Sequence, residues 1–329
     1  MVSGKITNLM SIKKKKIAGD ASFRTFYRIK LNGKNRIIVH AKKEKYKNLI
    51  AYAAINQFLR SNKILAPKLY EHKYSKNIII IEDFGNLTFN KILANSKKKT
   101  FFYKELVDLL IKIQQIKPKT KIKSIFSKPH IINKYSIKHL FKESDLFFDW
   151  YLPLFLSKKK SLQIKLKSRK ILFKIYKKLN FKNSCFVHRD YHVHNLMRYE
   201  KKVGVIDTQD ALIGNPAYDL ASLIDDVRIK TSTKLKKEIY NYYLKNTKSH
   251  KFKSKEFMRD FNILSVQRNL KIIGIFSRLF KRDKKKRYLR LIPYAWELLE
   301  MRMNSKIFMN LKIILDMNVP KSIRKIINR

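Results

Sequence analysis

The apolar positions change period along the chain, and each change marks a different element. Residues 23–31 and 35–41 alternate or run apolar like paired strands, and Asn32-Gly33 between them supplies a hairpin turn. Over 45–60, Tyr46, Leu49, Ile50, Ala53, Ala54 and Phe58 recur at helical spacing and predict one helix. Two more strands are expected after it, the second being the isoleucine run at 78–81, which leads directly into Glu82-Asp83-Phe84-Gly85. Beyond that turn, Phe102, Leu106, Leu109, Leu110, Ile113 and Ile116 form the stripe of a helix that faces a core. The rest reads helical, apart from two short strands at 184–187 and 202–206 and a polar loop at 190–195. The class this order predicts is α+β, with a small antiparallel sheet and one main helix first and a larger, mostly helical part after.

The polar loop carries the candidate chemistry. Residues 188–195 read His188-Arg189-Asp190-Tyr191-His192-Val193-His194-Asn195, and Asp207 follows the apolar Val205 and Ile206 twelve positions after Asn195. Such a run, with a later apolar-flanked Asp, is how a phosphoryl-transfer site supplies one carboxylate to orient an acceptor hydroxyl and two hard oxygen ligands for Mg²⁺. The spacing gives the first role to Asp190 and the metal to Asn195 and Asp207. Local charge agrees, because 188–226 holds seven of the 24 carboxylates of the chain and only four of its 76 basic residues. His188, His192 and His194 are accounted for by such a loop without a zinc site.

Together with Gln209-Asp210 and Gly214-Asn215-Pro216-Ala217-Tyr218-Asp219, these motifs resemble the aminoglycoside phosphotransferase superfamily, small-molecule relatives of the protein kinases. Several segments are similar to one branch of it: Gly19-Asp20-Ala21-Ser22-Phe23-Arg24, Phe26-Tyr27-Arg28, Gln209-Asp210, Gln267-Arg268-Asn269-Leu270-Lys271 and Gly274-Ile275-Phe276. That branch is the bacterial kinases of cell-wall recycling, which phosphorylate the anomeric hydroxyl of N-acetylmuramate and N-acetylglucosamine. The resemblance implies a bilobal protein-kinase-like fold, with a nucleotide-binding lobe over 1–84 that ends in a hinge and a helical lobe over 85–329 that carries the acceptor site. It implies ATP or GTP as phosphoryl donor, with Mg²⁺. Gly19, Asp20, Ala21 and Ser22 would form the loop over the nucleotide phosphates, Lys42, with Glu44 as its partner, would anchor them, and the backbone of Glu82, Asp83 and Phe84 would meet the adenine edge. Gln209, Asp210, Gln267, Arg268, Asn269 and Lys271 would contact the acceptor, while His188 and Asp219 would brace the loop of Asp190. An aminoglycoside, a choline-like alcohol or homoserine stays open as the acceptor. The chain departs from the pattern twice. Val193 stands where the superfamily usually has Pro, which would loosen the loop slightly, and Val39-His40-Ala41-Lys42 replaces a Met-Asp-Ala-Pro run.

A net charge of +52 would ordinarily point to nucleic acid or an anionic membrane. Here the lysines are scattered, and the wealth of Ile, Asn, Phe and Tyr with only seven Gly and seven Pro follows AT-rich codons. The runs at 13–16, 97–99, 158–160 and 284–286 therefore read as solvated faces. No nucleic-acid motif is present, so a nucleic-acid partner is not expected; a basic nucleic-acid-binding protein on an inactive kinase scaffold is the rival from another class. No apolar run approaches the roughly 18 residues that span a bilayer, and the residues through Lys16 lack a signal-type apolar core. A cytoplasmic enzyme acting on a small-molecule hydroxyl, with no membrane partner, is expected; the oligomeric state is not legible. Cys185 is the single cysteine, which excludes an intrachain disulfide and suits packing within its strand.

Overall fold

A computed structural model describes residues 13–17, 24–41, 47–125, 128–247 and 254–325. They fall into two compact units interleaved in sequence. The first takes the described parts of 1–88, 121–131 and 195–210, and the second those of 89–120, 132–194 and 211–329. Gly19, Asp20, Ala21, Ser22, Lys42 and Glu44 lie outside the described residues.

The first unit is built on a five-stranded antiparallel sheet in the order β1-β2-β3-β5-β4. Its strands are β1 (Lys15–Ile17), β2 (Thr25–Leu31), β3 (Lys34–His40), β4 (Leu69–Lys73) and β5 (Ile78–Glu82), with the helix α1 (Lys47–Ser61) between β3 and β4. Asn32 and Gly33 both take positive φ, +48° and +74°, as a tight two-residue hairpin requires. The isoleucine run of β5 lacks the polar alternation of a one-sided strand because both of its faces pack. Ile79 and Ile81 join Ile37, Val39, Leu49 and Tyr52, while Ile80 joins Ile29 and Ile38 on the other side. A small ladder of β6 (Lys121–Ile122) and β7 (His130–Ile131) also belongs to this unit.

The same unit contains a hairpin that the apolar pattern only half announced, of β9 (Leu196–Tyr199) and β10 (Lys202–Val205). Glu200 and Lys201 turn it with φ of +45° and +61°. It is fastened to its unit by Arg198 N–H donating to the Leu87 carbonyl and Val205 N–H donating to that of Leu65, both at 2.9 Å. Gly204 is required there, since a Cβ would come within 2.7 Å of the Phe84 ring. That ring in turn stacks on Tyr199 at 4.7 Å.

The second unit is mostly helical. It comprises α2 (Phe89–Asn95), α3 (Lys99–Gln115), α4 (Ile137–Leu146), α5 (Lys158–Tyr176), α6 (Ala217–Ile224), α7 (Thr233–Asn246), α8 (Ser254–Asp283), α9 (Ile292–Arg302), α10 (Met309–Asn318) and α11 (Lys321–Arg324). Two short antiparallel strands, β8 (Cys185–Val187) and β11 (Leu212–Gly214), pair at its centre. The predicted stripe of α3 is buried, from Leu106 to Ile113. The thirty-residue α8 is the organising helix, against which α4, α6 and α9 all pack. Its approach to α4 depends on Gly274, where a Cβ would fall within 2.5 Å of the Leu146 carbonyl oxygen and the Phe147 nitrogen. That close crossing brings α4 and α8 side chains into direct contact. Cys185 is fully buried, and burial pushes its thiol well above the ordinary range. Among the described residues, no helix is long and apolar enough to cross a membrane.

Candidate active site

The loop that follows β8 is held at both ends by buried carboxylates. At its start, Asp219 on α6 accepts the backbone N–H of His188 on one oxygen (2.6 Å) and that of Arg189 on the other (3.0 Å). Arg189 has φ of +74°, a left-handed conformation that costs a non-glycine residue about 1–3 kcal/mol. The two bonds to Asp219 hold the chain in that turn, and the Asp190 N–H meets the His188 ring Nδ1 at 3.3 Å. At the far end, Asp226 accepts the Val193 N–H at 3.2 Å and is itself clamped by Arg228 at 3.1 Å. Val193 thus uses an N–H that proline lacks, so the departure from the superfamily pattern exchanges ring stiffness for a hydrogen bond. Between the ends, the Tyr191 hydroxyl donates to the Leu106 carbonyl at 2.7 Å.

Asp190 projects from this braced loop with its side chain 38% exposed. Lys271 of α8 lies 3.8 Å from its carboxylate. Lys271 is anchored in turn on Glu143 of α4 at 3.3 Å, with the Tyr218 hydroxyl also at 3.3 Å. Glu143 is the hub of the cluster. It forms an ion pair with Arg189, and it accepts hydrogen bonds from the hydroxyls of Tyr135 and Tyr218 and from the Gln267 amide (2.9 Å). Burial alone would raise its carboxyl, but Lys271 and Arg189 outweigh that and hold it far below the carboxylate range. Asp190 follows the same logic. Withdrawal from water would raise it, yet Lys271, Arg189, Arg268 and His188 together bring it down to about 2.

The four α8 residues singled out by sequence therefore do different things. Gln267 is fully buried on Glu143, and the Asn269 amide turns back to the Ser265 carbonyl of its own helix at 2.9 Å. Lys271 reaches Asp190, and Arg268 lies over the Tyr218 ring at 5.3 Å. Sequence reasoning gave no role to Glu143, Asp226, Tyr135 or Tyr218. The one available signal for Glu143 was a carboxylate bordering the apolar helical stripe of Leu140, Phe141 and Phe147. The excess of acid over 188–226 also has a structural explanation. Asp219 and Asp226 brace the loop, and Asp225 is taken by Arg302, Lys236 and Ser265.

In the first unit, Asn195 and Asp207 sit at one end of the β9–β10 hairpin. The Ile206 N–H donates to the Asn195 carbonyl at 3.0 Å, and Asp207 comes next in the chain with φ of +63°. Arg24 pairs with one oxygen of Asp207 at 3.0 Å, and the carboxylate is 34% exposed. Below it, Thr208 donates its hydroxyl to Asn56 of α1 at 2.6 Å, which pins the segment to the helix. Among the described residues no three His, Cys, Asp or Glu side chains cluster as metal ligands. An amide oxygen and a carboxylate at one hairpin end suit Mg²⁺, which keeps waters and substrate phosphates in its shell and needs no all-protein cage. Gln209 is largely buried and donates to the exposed Asp210 at 3.0 Å.

The segment after β5 is tied mainly through side chains. Arg28 of β2 forks onto Asp83 (Nη2 to Oδ1 at 2.8 Å, with Nε on Oδ2), the Asn86 amide oxygen and the Gly85 carbonyl. Glu82 takes Arg60 and the Lys68 N–H, both at 3.1 Å. Among the described residues, no loop hydrogen bond engages the backbone of Asp83 or Phe84.

The sequence profile of the phosphotransferase enzyme family matches residues 14–253, and the chain belongs to that family. It is 26% identical over 287 residues to an N-acetylmuramate/N-acetylglucosamine kinase of Pseudomonas aeruginosa, covering 86% of this chain and 81% of that protein. A kinase of the same name from Neisseria meningitidis is 25% identical over 281 residues, covering 84% and 81%. Among solved structures, the ADP-bound aminoglycoside phosphotransferase APH(2'')-Ib matches with a TM-score of 0.60 at 15% identity, over 88% of this chain and 93% of that one. Choline kinase LicA from Streptococcus pneumoniae gives 0.57 at 14% identity, over 90% and 93%. The fold is thus the α+β, protein-kinase-like one, and the chain is a kinase of the phosphotransferase enzyme family.

Proposed function

We propose that the protein transfers the γ-phosphoryl group of ATP to the anomeric hydroxyl of N-acetylmuramate or N-acetylglucosamine. The observation that carries this reading is the placement of Lys271 3.8 Å from Asp190, because Lys271 belongs to the α8 segment that resembles the cell-wall sugar kinases. Relatives that match most of the chain are named as kinases of the same two sugars. A choline-like or aminoglycoside acceptor would carry positive charge toward Lys271, Arg189 and Arg268, which disfavours both.

In this mechanism the acceptor hydroxyl hydrogen-bonds to Asp190 and is aimed at the γ-phosphorus. The new O–P bond forms as the bond to the β-phosphate oxygen breaks, ADP leaves, and the hydroxyl proton passes to the Asp190 carboxylate. A carboxylate held near 2 is a weak base, so it orients the hydroxyl first and takes the proton late, once bonding to phosphorus has acidified it. Lys271 keeps Asp190 ionised, and Glu143 keeps Lys271 in place. Asn195 and Asp207 would hold Mg²⁺, which when bound supplies charge neutralisation at the nucleotide phosphates. The backbone of Asp83 and Phe84 is available for adenine, and the phosphate loop is assigned to Gly19, Asp20, Ala21 and Ser22 with Lys42 as anchor.

The test is an acceptor panel of N-acetylmuramate, N-acetylglucosamine, an aminoglycoside, choline and homoserine. ADP release gives the rate and phosphorus NMR gives the position of the new phosphate. An anomeric sugar phosphate is expected; if both sugars are inert while another acceptor is consumed, the reading fails.

A further inference from the structure

Three arginines are at least nine-tenths buried among the described residues, and one of them makes no hydrogen bond or close ion pair there. Arg24 pairs with Asp207, and Arg324 pairs with Glu300 and Asp316. Arg268 is only 4% exposed, yet among the described residues it donates no hydrogen bond to a protein oxygen and forms no ion pair, and its Nε is unsatisfied. Its guanidinium lies over the face of Tyr218, 5.3 Å away. A guanidinium carries five donors in a fixed fork, and burying one without an anion is costly, so such a group is expected where a ligand brings the anion.

Its position says which ligand. Arg268 precedes Lys271 by three residues on α8, about 4.5 Å along the helix axis, and the two share the helix face that meets Tyr218. Lys271 touches Asp190, and Arg268 is itself one of the cations that hold Asp190 ionised. A hydroxyl presented to Asp190 therefore brings the substituents of its own ring toward Arg268. Neighbouring carboxylates are already engaged: Glu143 by Arg189 and Lys271, and Asp219 by two backbone N–H groups.

We propose that Arg268 binds a carboxylate on the acceptor, so that the site selects a sugar acid over its neutral analogues. This rests on the acceptor reading above and deepens it, since N-acetylmuramate carries a carboxylate that N-acetylglucosamine lacks. Arg268 forms a two-pronged, charge-assisted contact that fixes the sugar ring while its anomeric hydroxyl meets Asp190.

The experiment compares kcat/KM for N-acetylmuramate with that for its neutral methyl ester, in the wild type and in Arg268→Gln and Arg268→Lys. The wild type is expected to prefer the acid by roughly 100-fold, the loss typical when one side of a desolvated charge pair is removed. In Arg268→Gln the preference shrinks to within about 3-fold, and Arg268→Lys, which keeps the charge but not the fork, falls between. Arg268→Gln should melt close to the wild-type temperature, because no hydrogen bond or close ion pair to the protein is lost with the charge. An undiminished acid preference in Arg268→Gln overturns the proposal. So does an equal loss on acid and ester, which would assign Arg268 to the phosphoryl group. If the wild type phosphorylates neither sugar, the acceptor reading falls separately, and the same ratio is taken over a panel of hydroxy acids and their amides. No acid preference there refutes the Arg268 proposal as well.

Discussion

The two candidate carboxylates of this kinase are held in opposite ways. In the helical unit, Asp190 rides on a loop braced at each end by a buried aspartate and is flanked by a desolvated cluster of Glu143, Arg189 and Lys271. In the sheet-bearing unit, Asp207 sits on a left-handed residue at a hairpin end, with one ion pair to Arg24 and one buried hydrogen bond beneath it at Thr208. The difference matches the roles proposed for the two groups. A group that must aim a hydroxyl needs a fixed direction, and buried, mutually satisfied charges supply it. In its proposed role as a metal ligand, Asp207 would instead exchange its ion pair with Arg24 for a cation.

The sharpest way to break this contrast is Asp207→Ala. Turnover should fall roughly 1,000-fold, with nucleotide affinity losing its Mg²⁺ dependence in titration calorimetry, while the melting temperature hardly moves. Glu143→Ala should do the reverse. It leaves Lys271 and Arg189 buried with their shared anion gone, at a cost of about 3–5 kcal/mol in urea unfolding. Gly274→Ala should cost about 1–3 kcal/mol, because backbone atoms of Leu146 and Phe147 cannot move aside as a flexible side chain would. Activity should drop with it, since the α4–α8 crossing sets Glu143 against Lys271. The smallest effect is expected for Arg24→Gln, within about 1 kcal/mol of wild-type stability, as its partner is a third exposed.

The acid response sharpens the comparison further. Asp190 and Glu143 both have lowered carboxyl values, so the stability they contribute is present above their ordinary values of 3.8 and 4.5. It is lost as pH falls through the lowered ones, near 2 for Asp190. Circular dichroism of the wild type and Glu143→Gln should therefore diverge at neutral pH and converge below the ordinary carboxylate range.

How much of this was legible depended on whether a feature was local. The β2–β3 hairpin, α1, the isoleucine strand and the stripe of α3 each declare themselves within a dozen or so residues, and the structure has all four. The loop motif likewise pointed to Asp190 because its spacing is fixed by chemistry. Strands β9 and β11 were missed, being three or four residues long and defined by their partners rather than by their own pattern. Glu143 was invisible for a related reason. It lies 47 residues before Asp190 and acquires its role only when Gly274 lets two helices cross closely. The resemblance offers Gln267, Arg268, Asn269 and Lys271 alike as acceptor candidates, whereas in the fold Gln267 is buried on Glu143 and Asn269 turns back to its own helix, a division that only packing assigns.

The most direct test of the account is Asp190→Asn, measured for turnover and for nucleotide binding on the same preparation. The account predicts kcat lower by roughly 1,000-fold or more with nucleotide affinity within about 2-fold of wild type, because only the contact to the acceptor proton is lost. Wild-type turnover in Asp190→Asn would contradict it.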